Sequence, residues 1–304
     1  MKTAIALLAS LFSLTAAADD VLVGPIKGVL AAETPVQLIG EGYDGTEGPL
    51  PVDDGGLLFT ENRSGRILRV SAEGKVSTFM EESNGSNSLA YNPAGELVSV
   101  QTKQPRVGVI QPVQAARTLV EGFDGKPFTR PNDLVVSRRG DLYFSDPNST
   151  PTGLYLLPPG GTLALIASDI ARPNGVALSP DERVLYVGDT GGEWVIAFDI
   201  AKDGGLSNRR NFARTAGVTK GENGAFAGGT DGLAVDASGR VYAATGIGVQ
   251  VFDKKGKALG VIKLPKAPQN LAFAGAKRDQ LYVVGSGAVY RIPTSTTGPK
   301  RLGK

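Results

Sequence analysis

The sequence predicts an all-β fold, a six-bladed β-propeller, on three observations. The first is a phrase that recurs six times: a polar opener, a short apolar strand, a turn and a second apolar strand. The copies read EGPLPVDDGGLLFT from Glu47, NSLAYNPAGELVSV from Asn87, NDLVVSRRGDLYFS from Asn132, NGVALSPDERVLYVG from Asn174, DGLAVDASGRVYAAT from Asp231 and NLAFAGAKRDQLYVV from Asn270. The second is their spacing of 40, 45, 42, 57 and 39 residues, the period of a propeller blade. The third is composition: 41 Gly and 19 Pro in 304 residues suit many short strands joined by tight turns.

Each repeat extends beyond its opening hairpin. Third strands are predicted at 65–71, 152–158, 193–200, 248–254 and 287–294, and fourth strands at 75–80, 116–122, 162–168 and 258–264. Alternation of apolar and polar residues marks most of them as half-buried antiparallel strands. The last repeat has no fourth strand of its own. The segment TPVQLIG at 34–40 resembles the fourth strands elsewhere, so the N-terminal strand is expected to close the ring in the final blade. Closure hides the two open edges of the array. One domain over 19–304 is expected, with blades spanning roughly 36–293. The long 57-residue interval holds a Gly-rich polar insertion at about 202–229, either a rim over the site or a surface excursion.

Residues 1–18 read differently. Lys2, the apolar run AIALLASLFSLTAAA and the small residues Ala16-Ala17-Ala18 form an export signal with a cleavage site. The run is short for a membrane span. The protein is therefore expected to be exported, to the periplasm or the medium, with no membrane attachment after cleavage. Removing Lys2 leaves 31 basic and 30 acidic residues. A surface so near neutrality gives no field for nucleic acid. A monomer is expected.

The chain has no Cys and no His. That excludes disulfides, a Ser-His-Asp triad and histidine-ligated zinc. Any catalysis runs on carboxylates, amides, Lys, Arg, Tyr or an oxygen-held metal. In a propeller the openers Glu47, Asn87, Asn132, Asn174, Asp231 and Asn270 begin the strands that line the central channel. Asn and Asp before Gly are also common turn residues, but Glu47 is a poor one. Two carboxylates and four carboxamides at matched positions supply hard oxygen ligands suited to Ca²⁺, Mg²⁺ or Mn²⁺.

The motifs Glu47-Gly48-Pro49, Arg130-Pro131-Asn132-Asp133, Arg172-Pro173-Asn174-Gly175 and Asp231-Gly232-Leu233 occur in this order at blade spacing. In this the chain resembles the SMP-30/gluconolactonase family, six-bladed propellers that hydrolyse sugar lactones with a divalent metal. The resemblance implies Glu47, Asn174 and Asp231 as metal ligands. It implies Asn132 beside the metal's water or substrate and Arg130 on substrate oxygens. One divalent cation is implied, calcium first, with magnesium, manganese and zinc as alternatives, and a small lactone as substrate. Asp231 is expected to be the general base as well as a ligand. The chain departs from the family pattern at Leu50-Pro51, where Val-Trp is common, and at 100–106, which lacks the Glu-His pair of many members. A phosphotriester hydrolase and a non-catalytic binding propeller remain the alternatives.

Asp146 is expected to cap a turn and Asp133 to orient its neighbours. Trp194 and Tyr143, Tyr186, Tyr242 and Tyr282 are expected to pack in the core.

Overall fold

The computed structural model describes residues 21–300; the expected leader at 1–18 lies outside the described residues. Six antiparallel sheets follow one another around a ring. Blade one consists of Thr46–Pro51, Leu57–Glu61, Arg66–Val70 and Val76–Met80. Blades two to five begin with the inner strands Ser86–Tyr91, Leu134–Val136, Pro173–Leu178 and Leu233–Val235. Each runs from the inner strand outward through four consecutive strands. A single 3-10 turn, Val113–Ala115, is the only helical element among the described residues.

The last blade closes as expected. Its own strands are Asn270–Ala274, Gln280–Gly285 and Ala288–Pro293, and Thr34–Glu41 supplies the fourth. The register pairs Leu38 with Tyr290 and Glu41 with Ala288. A fifth strand not foreseen in the sequence, Val21–Val23, adds to the outside of Thr34–Glu41. The region at 202–229 also differs from expectation. Its first half is the outer strand of blade four, Leu206–Arg214. Only the short hairpin Thr219–Lys220/Phe226–Ala227 is additional. A matching hairpin, Gly122–Phe123/Lys126–Pro127, precedes blade three.

Packing follows the ring. Six apolar clusters each join two adjacent blades. Leu50 and Leu58 of blade one meet Leu89 and Leu97 of blade two, and Ala272 and Tyr282 of blade six meet Leu57 and Phe59 of blade one. The second strands place Tyr143, Tyr186, Tyr242 and Tyr282 in these interfaces, at most 5% exposed. The Tyr143 hydroxyl donates to the Gly204 carbonyl at 2.8 Å and that of Tyr242 to Asp236 at 3.0 Å. Burial pushes both phenols far above their ordinary range, with Asp236 adding to the effect at Tyr242. These tyrosines are structural hydroxyls and hold their protons at any working pH.

The two ends of the channel differ. At the end remote from the openers, the segment after the last strand crosses the ring. Ala237 N donates to Thr297 O and Gly298 N to Arg278 O, both at 2.8 Å. The space left there is about 20 Å³, lined by Pro51, Val235, Phe273, Arg278 and Pro299. That volume has room for a water molecule and no substrate.

Candidate metal and substrate site

Hydrogen bonds at or beside the openers join the blades in a closed circle. Thr60 Oγ1 donates to Asn87 O at 3.0 Å, and Asn87 Nδ2 donates to Asn132 O at 2.9 Å. Ser145 Oγ reaches Asn174 O at 2.7 Å, and Gly175 N reaches Asp231 O at 3.0 Å. Gly232 N donates to Gln269 O at 2.7 Å, and Asn270 Nδ2 donates to Glu47 Oε2 at 3.0 Å. Every blade is thus joined to the next at its opener, and residues far apart in sequence meet at one mouth of the channel.

Irregular strand starts make this possible. The ladders slip between Glu47 and Leu50, between Ser86 and Ser88, and between Pro173 and Val176. In blades three and five the regular ladder begins only at Leu134 and Leu233, so Asn132 and Asp231 precede their strands rather than open them. Such bulges re-aim a side chain and occur beside sites. Glycine follows the opener where backbones crowd. A Cβ on Gly48, which has φ +50°, would lie 2.5 Å from Asn87 O, and one on Gly232 would lie 2.3 Å from Asn270 Oδ1.

Hydrogen bonding sorts the four asparagines. Asn87 and Asn270 are used at both ends of the amide. Asn87 Oδ1 accepts from Asn62 Nδ2 at 2.5 Å, and Asn270 Oδ1 accepts from Leu271 N at 2.9 Å. Asn174 is used at one end only: its Nδ2 donates to Thr190 Oγ1 at 3.0 Å, and its Oδ1 accepts nothing among the described residues. The side chain of Asn132 makes no hydrogen bond among the described residues, and the exposed guanidinium of Arg130 none either. Arg130 is exposed and Asn132 half-buried, so both remain open to a ligand at that mouth.

The Glu47 carboxylate and the Asp231 backbone are both held in place. Glu47 is 4% exposed, and its Oε2 accepts from Gly48 N at 3.2 Å as well as from Asn270. Asp231 is half-buried and is placed by Asp231 N to Ala244 O at 2.9 Å. Among the described residues no three Asp, Glu, His or Cys side chains gather in one place. A cation held by Glu47 and Asp231 would therefore need an amide oxygen beside them, and Asn174 Oδ1 accepts from no donor among the described residues. The set Glu47, Asn174 and Asp231 is all hard oxygen and fits calcium or a similar ion. Zinc lacks its usual nitrogen and sulfur ligands here.

The supporting residues were partly visible in the sequence. Asp133 is fully buried and ties three blades together. Ser88 of blade two donates to its Oδ1, as does Leu134 N at 3.0 Å, and Val176 N of blade four donates to its Oδ2 at 2.9 Å. Asp146 does more than cap a turn. Its carboxylate accepts from Thr129 N at 2.9 Å, Arg130 N at 3.2 Å and Asn148 N at 3.2 Å. Asp189 holds Arg172 N at 2.9 Å, and Glu61 holds Asp44 N at 2.9 Å. Three blades thus use the acid ending the second strand to fix the loop before the opener. The signal was available as LLFTE, LYFSD and VLYVGD, which all finish on an acid.

The family model described as SMP-30/Gluconolactonase/LRE-like region matches residues 45–287. The chain belongs to that family. It is 30% identical over 306 aligned positions to a gluconolactonase of Zymomonas mobilis, covering 90% of this chain and 85% of that protein. It is 26% identical to a pentonolactonase of Haloferax volcanii, with 79% and 81% covered. Among solved structures, a gluconolactonase from Xanthomonas campestris superposes with a TM-score of 0.78 at 27% identity, with 92% and 99% of the two chains covered. That likeness carries the six-bladed fold independently of the repeat count.

Proposed function

We propose that this propeller is a lactonase: it hydrolyses the ring ester of a small lactone at the mouth bounded by the openers. The observation that carries the reading is the division of the openers. Asn87 and Asn270 are spent on the scaffold. Asn174 Oδ1, Asn132 and Arg130 keep polar capacity beside the two carboxylates. The names of the relatives from Zymomonas and Haloferax support a sugar lactone as the substrate class.

Glu47, Asn174 and Asp231 would hold one divalent cation, calcium by the hardness of the donors. When bound, such an ion polarises the ester carbonyl and offsets the negative charge developing on its oxygen. The chain's own groups do the remainder. Arg130 donates to substrate oxygens and fixes the ring in the mouth. Asn132 orients the water against the carbonyl carbon. The Asp231 carboxylate takes the proton of that water as the new C–O bond forms. The ring C–O bond then breaks, and Asp231 returns that proton to the leaving oxygen, which becomes the hydroxyl of the open acid. General-base assistance of this kind is worth on the order of 10²–10⁴-fold.

The test is a pH-stat assay on a panel of aldonolactones, with and without chelator. Acid release that stops on chelation and returns with calcium supports the reading. No chelator-sensitive release from any lactone sinks it, and release from a phosphotriester alone would reassign the chemistry. Export is a further proposal that rests on the leader sequence; the intact mass of protein recovered outside the cytoplasm tests whether residues 1–18 are gone.

A further inference from the structure

A cavity of about 350 Å³ opens beside Arg130, between the hairpin Gly122–Phe123/Lys126–Pro127 and the loop at 147–152. Its floor is aromatic. Phe123 and Phe128 meet Tyr155 with ring centroids 5.6 and 5.4 Å apart, and Tyr155 is backed by Phe144, stacked at 5.0 Å. Phe128 and Tyr155 are each 4% exposed. Leu165 extends the apolar wall, and Thr129 and Thr150 stand exposed on the rim.

The cavity adjoins the loop that carries Arg130 and Asn132. Thr129 lines it and lies three residues before Asn132, which an extended chain spans in about 11 Å at most. One carboxylate shapes both places. Asp146 accepts from Thr129 N and Arg130 N on one wall and from Asn148 N on the other, and its carbonyl accepts from Ser149 Oγ at 3.1 Å. The residue that aims Arg130 thus also holds the cavity open.

The volume is at the low end for a small-molecule site, about 300–1,000 Å³, and is too large for a packing fault. Its floor offers ring faces and aliphatic carbon. Hydroxyls of a polyol chain pressed on that floor would lose water and find partners only among Asp124, Lys126, Thr129, Ser149 and Thr150 around it, whereas methylenes on the floor would gain from leaving water. We propose that this cavity takes the exocyclic substituent of the lactone and selects an alkyl or aryl group there. The inference rests on the lactonase reading and narrows its substrate: the ring lies at the mouth against Arg130, and an apolar tail lies over Tyr155.

The experiment compares γ-lactones of increasing alkyl length, from γ-butyrolactone to γ-nonalactone, on wild type and on Thr129→Trp and Thr150→Trp, which fill the rim. Affinities of γ-alkyl lactams, which bind without ring opening, are measured in parallel by calorimetry. kcat/KM and lactam affinity are expected to rise about two- to fourfold per methylene until the cavity is full. Both tryptophan variants are expected to flatten the rise. Hydrolysis that proceeds with no dependence on chain length overturns this inference and leaves the lactonase intact. Lactam affinity that rises with length while no lactone is hydrolysed supports the cavity and overturns the lactonase. A length dependence that survives both tryptophans places the tail elsewhere and overturns the assignment.

Discussion

Asn270 Nδ2 donates to Glu47 Oε2 at 3.0 Å across 223 positions of sequence. Both residues are buried, at 1% and 4% exposure, and the bond lies where the last blade meets the first. It fixes one oxygen of a proposed metal ligand. Orienting groups of this type typically set 10–100-fold of metal affinity. Asn270→Ala is expected to weaken calcium activation of the chelated enzyme by about that factor while activity at saturating calcium changes little. A calcium titration of wild type and variant checks it. Equal midpoints would remove Glu47 from the ion's ligands.

Asp231→Asn separates chemistry from architecture. The amide is nearly isosteric with the carboxylate, and the fold contact made by this residue's backbone, Gly175 N to Asp231 O, is untouched. Circular dichroism and the melting temperature are expected to stay close to wild type. The rate is expected to fall by about 10²–10⁴-fold for loss of the base alone, and further where ligation fails. A variant that hydrolyses lactone at the wild-type rate would assign proton removal to another group.

Asp133 and Asp146 look alike in sequence, and the structure gives them separable tests. Asp133 links blades two, three and four through Ser88, Leu134 N and Val176 N. Asp133→Ala leaves three donors without their acceptor, and charge-assisted bonds are worth about 1.5–3 kcal/mol each. It is expected to lower the melting temperature markedly. Asp146→Asn keeps much of the packing but weakens the hold on Arg130, so KM is expected to rise more than kcat falls. Thermal melts and steady-state kinetics on both variants decide. A reversed pattern, with KM moved by Asp133→Ala and stability alone by Asp146→Asn, would exchange their roles.

The fold was legible because each blade repeats its alternation and its turn at a fixed interval, and because 34–40 matched a strand missing 250 residues later. What escaped has local causes. Leu206–Arg214 faces solvent along most of its length, so SNRRNF carries no apolar alternation. Val21–Val23 has three residues, too few for a period. At the site, the six openers stood out by their matched positions. Which asparagines are scaffold and which keep an oxygen in reserve was not legible. That depends on Asn62 and Thr190 approaching from a neighbouring blade and a neighbouring strand and on the Asn270 amide folding back to Leu271 N, contacts that no repeat period encodes. For Asp146 the acid closing the second strand was visible, but not the Thr129 and Arg130 amides that it reaches.

The N-terminal closure makes the strongest stability prediction. Thr34–Glu41 covers the edge of Ala288–Pro293, and Val36 is 2% exposed. The chain before it adds Val23, Ile26, Val29 and Leu30 to the cluster shared by blades five and six. Burying one such side chain is worth about 1.5–3 kcal/mol, so the five together rival the whole stability of a typical domain, about 5–15 kcal/mol. No other strand can take the place, because the chain beyond Pro293 crosses the far end of the channel instead. Removal of residues up to Ala32 is expected to lower the melting temperature while preserving a cooperative transition. Removal through Glu41 is expected to abolish that transition and leave an open sheet edge that aggregates. Melts followed by circular dichroism with light scattering on the two truncations test the order of severity. A protein lacking residues up to Glu41 that melts at the wild-type temperature would mean that the ring is sealed without its N-terminal strand.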